Sequence, residues 1–243
     1  MSGTRPAAPV PAVSVIVPAY NLAEHVADAV ESVRLQSFRD FEAIVIDDGS
    51  TDDTAARARA AAEGDRRFRL LTQPNGGLSA ARNAGLEMAR APVIGYLDGD
   101  DRYHRRFLET LLGQMEDTGA PWAACAVALA RPGGETAVSG IHGVRHPATR
   151  EDWTTFPLDS WREIIRHWPS AWNKLYRREL IGETRFAEGL YYEDHPWYQA
   201  LAAKAGALPY TPRPLYLHTR GRTGQITAED SDRVFDIFEV IDR

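Results

Sequence analysis

Four short clusters of polar residues follow apolar runs in the first part of this chain, and the most acidic is Asp98-Gly99-Asp100-Asp101. Carboxylates this close repel one another, so a folded protein holds them together most readily around a cation. Oxygen ligands suit Mg²⁺ or Mn²⁺, and such a cation usually also takes oxygens of a substrate diphosphate. A solvated acidic turn or a helix N-cap is the alternative. The position after a buried strand favours the cation site.

Two further clusters have residue types that hold a nucleotide. Asp47 and Asp48 end another apolar run, where a carboxylate can accept hydrogen bonds from a base or from ribose hydroxyls. A turn whose Asp caps the next helix is the alternative, and both roles can hold at once. Asn75–Gly85 joins a glycine turn to a helix with Arg82, which could reach a phosphate with two N–H groups. A plain loop with a surface arginine is the alternative there.

The second half of the chain adds an acidic pair and a basic loop. Glu193 and Asp194 precede a predicted helix, and a carboxylate above a crevice could take the proton of an acceptor hydroxyl. Alone, such a pair more often caps the helix. Arg220 and Arg222 form a basic loop that could close over a diphosphate, with a solvated turn as the alternative.

Apolar periodicity predicts the elements that position these residues. Strands are predicted at Val13–Val17, Phe41–Ile46, Arg69–Leu71 and Val93–Leu97. Helices are predicted between them, one starting at a Ser50–Asp53 box and one over Ser79–Arg90. This alternation favours a parallel sheet, whose strands present their carboxyl ends to one crevice.

After residue 120 the pattern loosens. We expect a hairpin formed by Trp122–Leu129 and Glu135–Ser139, followed by a loop at Gly140–Pro157. Three helices are expected at Ser160–His167, Arg177–Ile181 and His195–Ala205, and a late strand at Leu215–His218.

Composition narrows the class of protein. Of the 243 residues, 44% are hydrophobic, which is enough for a packed core. The net charge of -6 gives no basic footprint for nucleic acid or polybasic membrane patch. Cys125 is the single cysteine, so we expect no internal disulfide and a reducing, cytoplasmic setting. No stretch approaches the ~20 apolar residues that span a bilayer.

Five motifs, in this order, resemble the family 2 glycosyltransferases. They are VIVPAYN from Val15, IDDGSTD from Ile46, GGLSAARNAG from Gly76, DGDD from Asp98 and YEDH from Tyr192. The resemblance runs from about Val13 to Thr227. It implies the α/β GT-A fold: a Rossmann-like, mainly parallel central sheet flanked by helices, with a C-terminal acceptor-side helical region. It also implies a nucleotide-sugar donor and inversion at the anomeric carbon.

The resemblance also implies roles for matching residues. Asp98 and Asp100 form the pair that holds ribose and Mn²⁺ or Mg²⁺, Asp194 is the general base, and Glu193 is its neighbour. Gln225 stands where a serine is common, so no role is carried over to it. The donor-binding set is Pro18, Tyr20, Asn21, Asp47, Asp48, Asn75, Gly77, Arg82, Asp98, Gly99, Arg220 and Arg222. The acceptor-binding set is Trp172, Lys174, Tyr192 and His195.

The expected organisation is one GT-A domain with two halves. We expect a flexible lead-in at 1–12, a nucleotide-sugar-binding half at 13–120, an acceptor-binding and catalytic-base half at 121–227, and a C-terminal helix at 228–243. The uncapped C-terminal pattern favours a chain that continues beyond this sequence, and a homo-oligomer stays open. The expected reaction moves a sugar, by default from UDP, to a glycan or lipid-linked acceptor in cell-surface polysaccharide synthesis. The setting is cytoplasmic, at most with peripheral contact at the inner face of the membrane.

Two other functions fit part of the pattern. A pyrophosphorylase-like nucleotidyltransferase wants a glycine-rich, basic loop after the first strand, where this chain has Pro18–Asn21. A non-catalytic nucleotide-sugar-binding domain would keep the same crevice. A hydrolysis assay with nucleotide sugars and Mn²⁺ separates that binding domain from an enzyme.

Overall fold

A computed structural model describes residues 9–130, 136–139 and 153–221. Several predicted features lie outside the described residues: most of the lead-in, residues 140–152 of the predicted loop, Arg222, Gln225 and the C-terminal helix.

The first half of the chain alternates strands and helices, as its periodicity predicts. Its strands are β1 Val13–Ala19, β2 Phe41–Asp47, β3 Phe68–Thr72 and β4 Val93–Tyr96. Its helices are α1 Val26–Arg34, α2 Thr54–Ala61 and α3 Gly77–Met88. The strands pair in parallel in the order β3-β2-β1-β4, so the polar clusters that follow β1, β2, β3 and β4 lie at one edge.

The second half extends the same sheet with mixed pairing. Its elements are β5 Arg102–Tyr103, α4 Phe107–Thr118, β6 Trp122–Ala130, β7 Thr136–Ser139, β8 Thr154–Pro157, α5 Trp161–Arg166, β9 Lys174–Arg177, α6 Arg178–Ile181, α7 Asp194–Ala205 and β10 Ala207–Thr219. Strand β9 joins antiparallel to both β4 and β6, whereas β10 runs parallel to β6. The full order is β3-β2-β1-β4-β9-β6-β10-β5, with β7 on β6 and β8 on β10.

Helices cover both faces of the sheet, because successive side chains of a strand point to opposite faces. Val15 and Val17 of β1 pack in one apolar cluster with Val30 of α1. Ile16, between them, packs in the second cluster with Trp197 of α7. Within the part of the chain that is described, no helix is both long and apolar enough to cross a bilayer.

Two local predictions were wrong, and a third placed a strand correctly but made it too short. The Ser50–Asp53 box does not form, because Asp52 accepts hydrogen bonds from Thr54 and Ala23 instead and Asp53 caps nothing with its side chain. Part of the predicted loop, 154–157, is strand β8, which pairs antiparallel with β10. The late strand is longer than predicted and covers all of β10, through register shifts near Pro214.

Candidate functional site

A buried arginine joins the acidic residues of the two halves. Nη1 of Arg82 donates to Oε1 of Glu193 at 2.7 Å and to Oδ1 of Asp194 at 2.6 Å. Its Nη2 donates to Oδ1 of Asp98 at 2.9 Å. We call Arg82, Asp98, Glu193 and Asp194 the carboxylate–arginine cluster. It connects the end of β4 to the start of α7, across the crevice predicted from the strand ends.

Helix α3 sets the geometry of this cluster by holding the loop before α7. The Oγ of Ser79 donates to the carbonyl of Ala187 at 2.7 Å. Asn83 exchanges two 3.0 Å hydrogen bonds with the backbone of Phe186. The Phe186 ring also lies 5.1 Å from the guanidinium carbon of Arg82. The loop that leads to Glu193 and Asp194 is therefore fixed to the helix that carries their cation.

Burial changes the proton affinities in the cluster. Burial raises the pKa of Glu193 to about 7, and the charge of Asp194 adds to that rise. Burial also raises the pKa of Asp194, although Arg82 opposes the rise. Burial alone would lower the pKa of Arg82, but the three carboxylates hold it well above its usual value. Arg82 therefore stays charged, while Glu193 can exchange a proton near neutral pH.

The backbone also orients Asp194. Its Oδ2 accepts a 3.2 Å hydrogen bond from the N–H of Ala171, while Oδ1 accepts from Arg82. Tyr192, two residues before, has a φ of 63°, which is uncommon for a residue other than glycine. Two carboxylate oxygens fixed in this way suit a base that must meet one hydroxyl in one direction.

On the donor side, Asp48 organises the glycine loop. Its carboxylate accepts hydrogen bonds from the side chain of Gln73 and from the N–H groups of Gly76 and Gly77, at 2.8, 3.0 and 2.8 Å. Asp48 thus caps α3 rather than the next helix along the chain, α2. Asp47 is buried beside it and accepts from the N–H of Ser50. Contact of either carboxylate with a nucleoside stays a prediction.

The turn after β1 lies against the acidic turn. Gly99 donates its N–H to the carbonyl of Pro18 at 3.1 Å, and a Cβ at Gly99 would lie 2.8 Å from that oxygen. Asn21 takes a φ of 51° and accepts a hydrogen bond from the N–H of Thr51. Tyr20 is 47% exposed, so its ring is accessible to a ligand. Asn75 and Gly77 belong to the turn that binds Asp48, and both residues are exposed.

The sequence did not reveal the part that Asp101 plays. This buried carboxylate accepts from the hydroxyl of Tyr216 at 2.6 Å and from the N–H of Thr219 at 2.7 Å, and it pairs with His218. Burial raises the pKa of Asp101 to about 6. Burial would lower the pKa of His218, but the hydrogen bond with Asp101 and the charges of Asp101, Asp98 and Asp100 together outweigh burial and raise the pKa. The acidic turn is therefore tied to the end of β10, which only the tertiary fold brings near.

The donor set of the acidic turn fits a cation that arrives with its nucleotide. Asp98 and Asp100 are both partly exposed on the turn after β4. Among the described residues, no three His, Cys, Asp or Glu side chains gather as a ready-made metal site. Two carboxylates are the usual protein share of a Mg²⁺-type site that substrate phosphates and water complete. The residues present fit that kind of site.

The proposed acceptor residues divide into buried and accessible ones. Trp172 is buried and stacks on Tyr216 at 4.3 Å and on His218 at 5.2 Å. Lys174 is buried, and its ammonium donates to three oxygens of Trp168, Ser170 and Asn173. Burial lowers its pKa to about 7. As placed, Lys174 supports the segment that contains Ala171, and a direct acceptor contact stays a prediction.

The remaining predicted residues flank the cluster. Tyr192 and His195 are half-buried at the start of α7, with ring centroids 6.0 Å apart. Burial lowers the pKa of His195. Arg220 is exposed just after β10, and its N–H bonds the carbonyl of Ala130 at 2.9 Å. The structure thus brings Arg82, Asp98, Glu193 and Asp194 together; no contact joins Arg220 or Lys174 directly to them among the described side chains.

Sequence comparisons identify the family of the chain. The family model described as "Glycosyl transferase family 2" matches residues 14–185. The uncharacterized glycosyltransferase YibD of Escherichia coli K12 is 33% identical over 211 residues, which is 84% of this chain and 60% of that protein.

Solved structures share the fold. S. aureus TarS 1–349 in complex with UDP-GlcNAc has a TM-score of 0.77 at 22% identity, over 94% of this chain and 64% of that one. The Pyrobaculum calidifontis mannosyltransferase PcManGT in complex with GDP-Man and Mn²⁺ has a TM-score of 0.65 at 19% identity, over 88% and 59%. The chain spans about three fifths of the length of these three proteins. The matched family model and the shared architecture show that this chain belongs to glycosyl transferase family 2 and has the GT-A fold.

Proposed function

We propose that this protein transfers a sugar, with inversion, from a nucleotide diphosphate sugar to a hydroxyl of a glycan or lipid-linked acceptor. UDP is the proposed nucleotide and cell-surface polysaccharide the proposed product class. In this proposal, residues 13–120 bind the donor and residues 121–227 present the base and the acceptor. The bound UDP-GlcNAc of TarS and GDP-Man of PcManGT support a nucleotide-sugar donor.

One observation carries the proposal: Arg82 bonds Asp98 on the donor turn and Asp194 at the start of α7 at once. An inverting transfer needs a base on the face of the sugar opposite the departing diphosphate, with both groups held around one reacting carbon. The carboxylate–arginine cluster supports this proposal, because one set of hydrogen bonds holds Asp98 of the acidic turn and Asp194 at the start of α7 near each other.

In the proposed reaction, Asp194 takes the proton of the acceptor hydroxyl as that oxygen attacks the anomeric carbon. A carboxylate is a weak base at its ordinary pKa, and the raised pKa of Asp194 makes it a stronger one. Arg82 and Ala171 orient its two oxygens. Asp98 and Asp100 would hold Mn²⁺ or Mg²⁺, which when bound neutralises charge on the diphosphate.

The direct test is turnover with a panel of UDP-, GDP- and dTDP-sugars and Mn²⁺, followed by nucleotide release with and without acceptor glycans. We expect one nucleotide class to be consumed and the product to have the inverted anomeric configuration by NMR. Consumption of none of them, or a retained configuration, would overturn the proposal.

We expect Asp194→Asn to lower kcat by at least about 10²-fold while the Kd for the donor nucleotide stays within about twofold. Asparagine provides one acceptor oxygen where Arg82 and Ala171 use two, and it cannot take a proton. Glu183→Gln, at an exposed carboxylate outside the cluster, is the matched control and should keep wild-type turnover. Wild-type kcat in Asp194→Asn would refute the base assignment.

A further inference from the structure

Helix α5 exposes two large apolar side chains one turn apart. Trp161 is 58% exposed and Ile165 is 55% exposed. The other exposed large apolar residues of the described chain, Val10, Tyr20 and Leu35, lie on separate elements. Two large apolar side chains exposed side by side require an explanation, whereas isolated exposed apolar residues do not.

Helical geometry places two arginines beside this apolar pair. At about 100° per residue, Trp161, Ile165, Arg162 and Arg166 fall within an arc of about 140°. Both arginines are exposed, and Arg166 also pairs with Glu163 at 2.9 Å. The α5 face, as we call these four residues, therefore presents an apolar stripe flanked by Arg162 and by the Arg166–Glu163 ion pair.

The opposite side of α5 is anchored in the protein next to the acid pair. Ile164 is buried in the core, and its carbonyl accepts a 3.2 Å hydrogen bond from Tyr198 of α7. The chain that leaves α5 reaches Ala171, whose N–H bonds Asp194. The α5 face is thus rigidly connected to the acceptor side of the candidate site.

We propose that the α5 face docks on the surface of an anionic phospholipid bilayer, and so brings the site to an acceptor carried by a membrane lipid. The inference rests on the proposed function for the acceptor. Tryptophan favours the boundary between headgroups and acyl chains, and arginine favours anionic headgroups.

A second copy of the chain fits the α5 face less well. Its two apolar side chains expose on the order of 250 Å² per copy, or about 500 Å² for a symmetric pair, whereas a stable interface between proteins buries roughly 1,000 Å² or more in total. A bilayer needs no such area from one helix, because weak interfacial contacts suffice for reversible association.

The overall charge of -6 opposes approach to an anionic surface, so local charge must decide the contact. At physiological ionic strength, charges beyond about 8 Å are largely screened. The arginines of the α5 face act within that range. Binding should therefore occur at 0.15 M salt and weaken in high salt.

The test is co-sedimentation of the full chain with vesicles of phosphatidylglycerol and phosphatidylcholine, and of phosphatidylcholine alone. We expect partition onto the anionic vesicles, lowered at least about tenfold by the double change Trp161→Ser and Ile165→Ser. Arg162→Glu should lower partition on the anionic vesicles only. Leu35→Ser, which removes a 56% exposed leucine of another element, is the matched control and should partition like the wild type.

Absence of wild-type partition, or equal partition of the double variant, would overturn the proposal. If light scattering showed a wild-type dimer that the double variant abolishes, and the wild type did not partition onto lipid, the α5 face would be assigned to a second copy instead. A thermal shift with UDP and Mn²⁺ on the same samples reports the donor site separately. If UDP and Mn²⁺ gave no thermal shift in the wild type, the proposed donor would be rejected, whereas the conclusion from lipid partition would be unaffected.

Discussion

At the scale of single residues, the cluster contains one permanent positive charge and three acids. Arg82 is 1% exposed, and its fork reaches Asp98, Glu193 and Asp194 at the same time. A lysine is a point charge on a flexible stem and cannot reproduce that fork. The cluster should therefore depend on the guanidinium itself, both for stability and for the alignment of the base.

We expect Arg82→Lys to lower kcat/KM by about 100-fold or more and the free energy of unfolding by about 2 kcal/mol, because one ammonium cannot replace two Nη donors that reach three buried carboxylates. Urea denaturation and steady-state kinetics measure the two effects. Arg185→Lys, at an exposed arginine in the loop that precedes α7, should change neither quantity. An Arg82→Lys variant with wild-type values would show that charge alone is enough.

The raised pKa of Glu193 predicts a pH dependence of stability. The native state binds this proton at about pH 7, whereas an unfolded glutamate binds it near 4.5. Between those values the native state holds more protons on Glu193, so the contribution of Glu193 to the free energy of unfolding should rise as the pH falls from 8 towards 6. Asp101 shifts in the same direction. Lys174, whose pKa burial lowers to about 7, and His167, whose pKa burial lowers to about 4, act oppositely below their ordinary pKa values.

Comparison with Glu193→Gln isolates the contribution of Glu193. Glutamine keeps an acceptor for Arg82 but has no proton to gain. We expect the difference in unfolding free energy between wild type and Glu193→Gln to change with pH from 8 to 6, in favour of the wild type at lower pH. Urea midpoints at four pH values measure it. A pH-independent difference would mean that Glu193 does not take up a proton on folding.

The acids of the site could be predicted from sequence, but their partners could not. Asp98 and Asp194 were predicted from strand ends and from the resemblance, and both do lie in one cluster. Arg82 was predicted to meet a phosphate, yet in the described structure it bonds three carboxylates. Nothing in the local sequence distinguishes a buried arginine from an exposed one, because its burial depends on the loop that α3 holds.

At the scale of elements, the close packing of α3 on β1 requires a glycine, which has no Cβ. A Cβ at Gly85 would lie 2.3 Å from Cγ2 of Ile16, so a side chain there must push the helix away from the strand. Arg82 is on the same helix, one turn earlier. The position of the cluster therefore depends on this contact between helix and strand.

We expect Gly85→Ala to lower the free energy of unfolding by about 1–3 kcal/mol and to reduce turnover through displacement of Arg82. Gly113→Ala is the matched control, because Gly113 is also helical and a Cβ there meets nothing within 4 Å. That change should stabilise slightly, by up to about 1 kcal/mol. Thermal melts and kcat measure both variants. Equal effects of the two changes would refute the contact argument.

Element prediction succeeded where the apolar pattern was regular. Strands β1 to β4 and helices α1 to α3 follow clear periodicity and were confirmed. Helix α4 was not predicted, although its buried Phe107, Leu111 and Met115 carry a helical spacing that could have found it. The sequence of strand β9 gave no such signal. Its first residue is Lys174, which is buried because surrounding carbonyl oxygens accept hydrogen bonds from its ammonium.

At the scale of the whole molecule, the proposed function requires an acidic protein to bind an anionic donor. With a net charge of -6, long-range attraction does not favour a nucleotide diphosphate. Local positive charge has to compensate, and a divalent cation at Asp98 and Asp100 would supply it. Donor binding should therefore be linked to the metal.

We expect UDP with Mn²⁺ at about 100 times Kd to raise Tm by about 5–10 °C, and UDP with EDTA to raise it much less. Asp100→Asn should lose the part that depends on Mn²⁺. Asp117→Asn, an exposed aspartate on α4, is the control and should keep it. An unchanged Mn²⁺-dependent shift in Asp100→Asn would exclude Asp100 as a ligand.

The parallel pairing of β6 and β10 has a consequence for the genetics of this protein. The two strands end together, with Thr219 in register with Ala130 and with the N–H of Arg220 bonded to Ala130. Asp101 holds Thr219 at the acidic turn. Ala130 and Arg220, far apart in the sequence, therefore lie side by side close to the acidic turn. Paired substitutions at Ala130 and Arg220 should show epistasis, with combined effects that differ from the sum of the single ones.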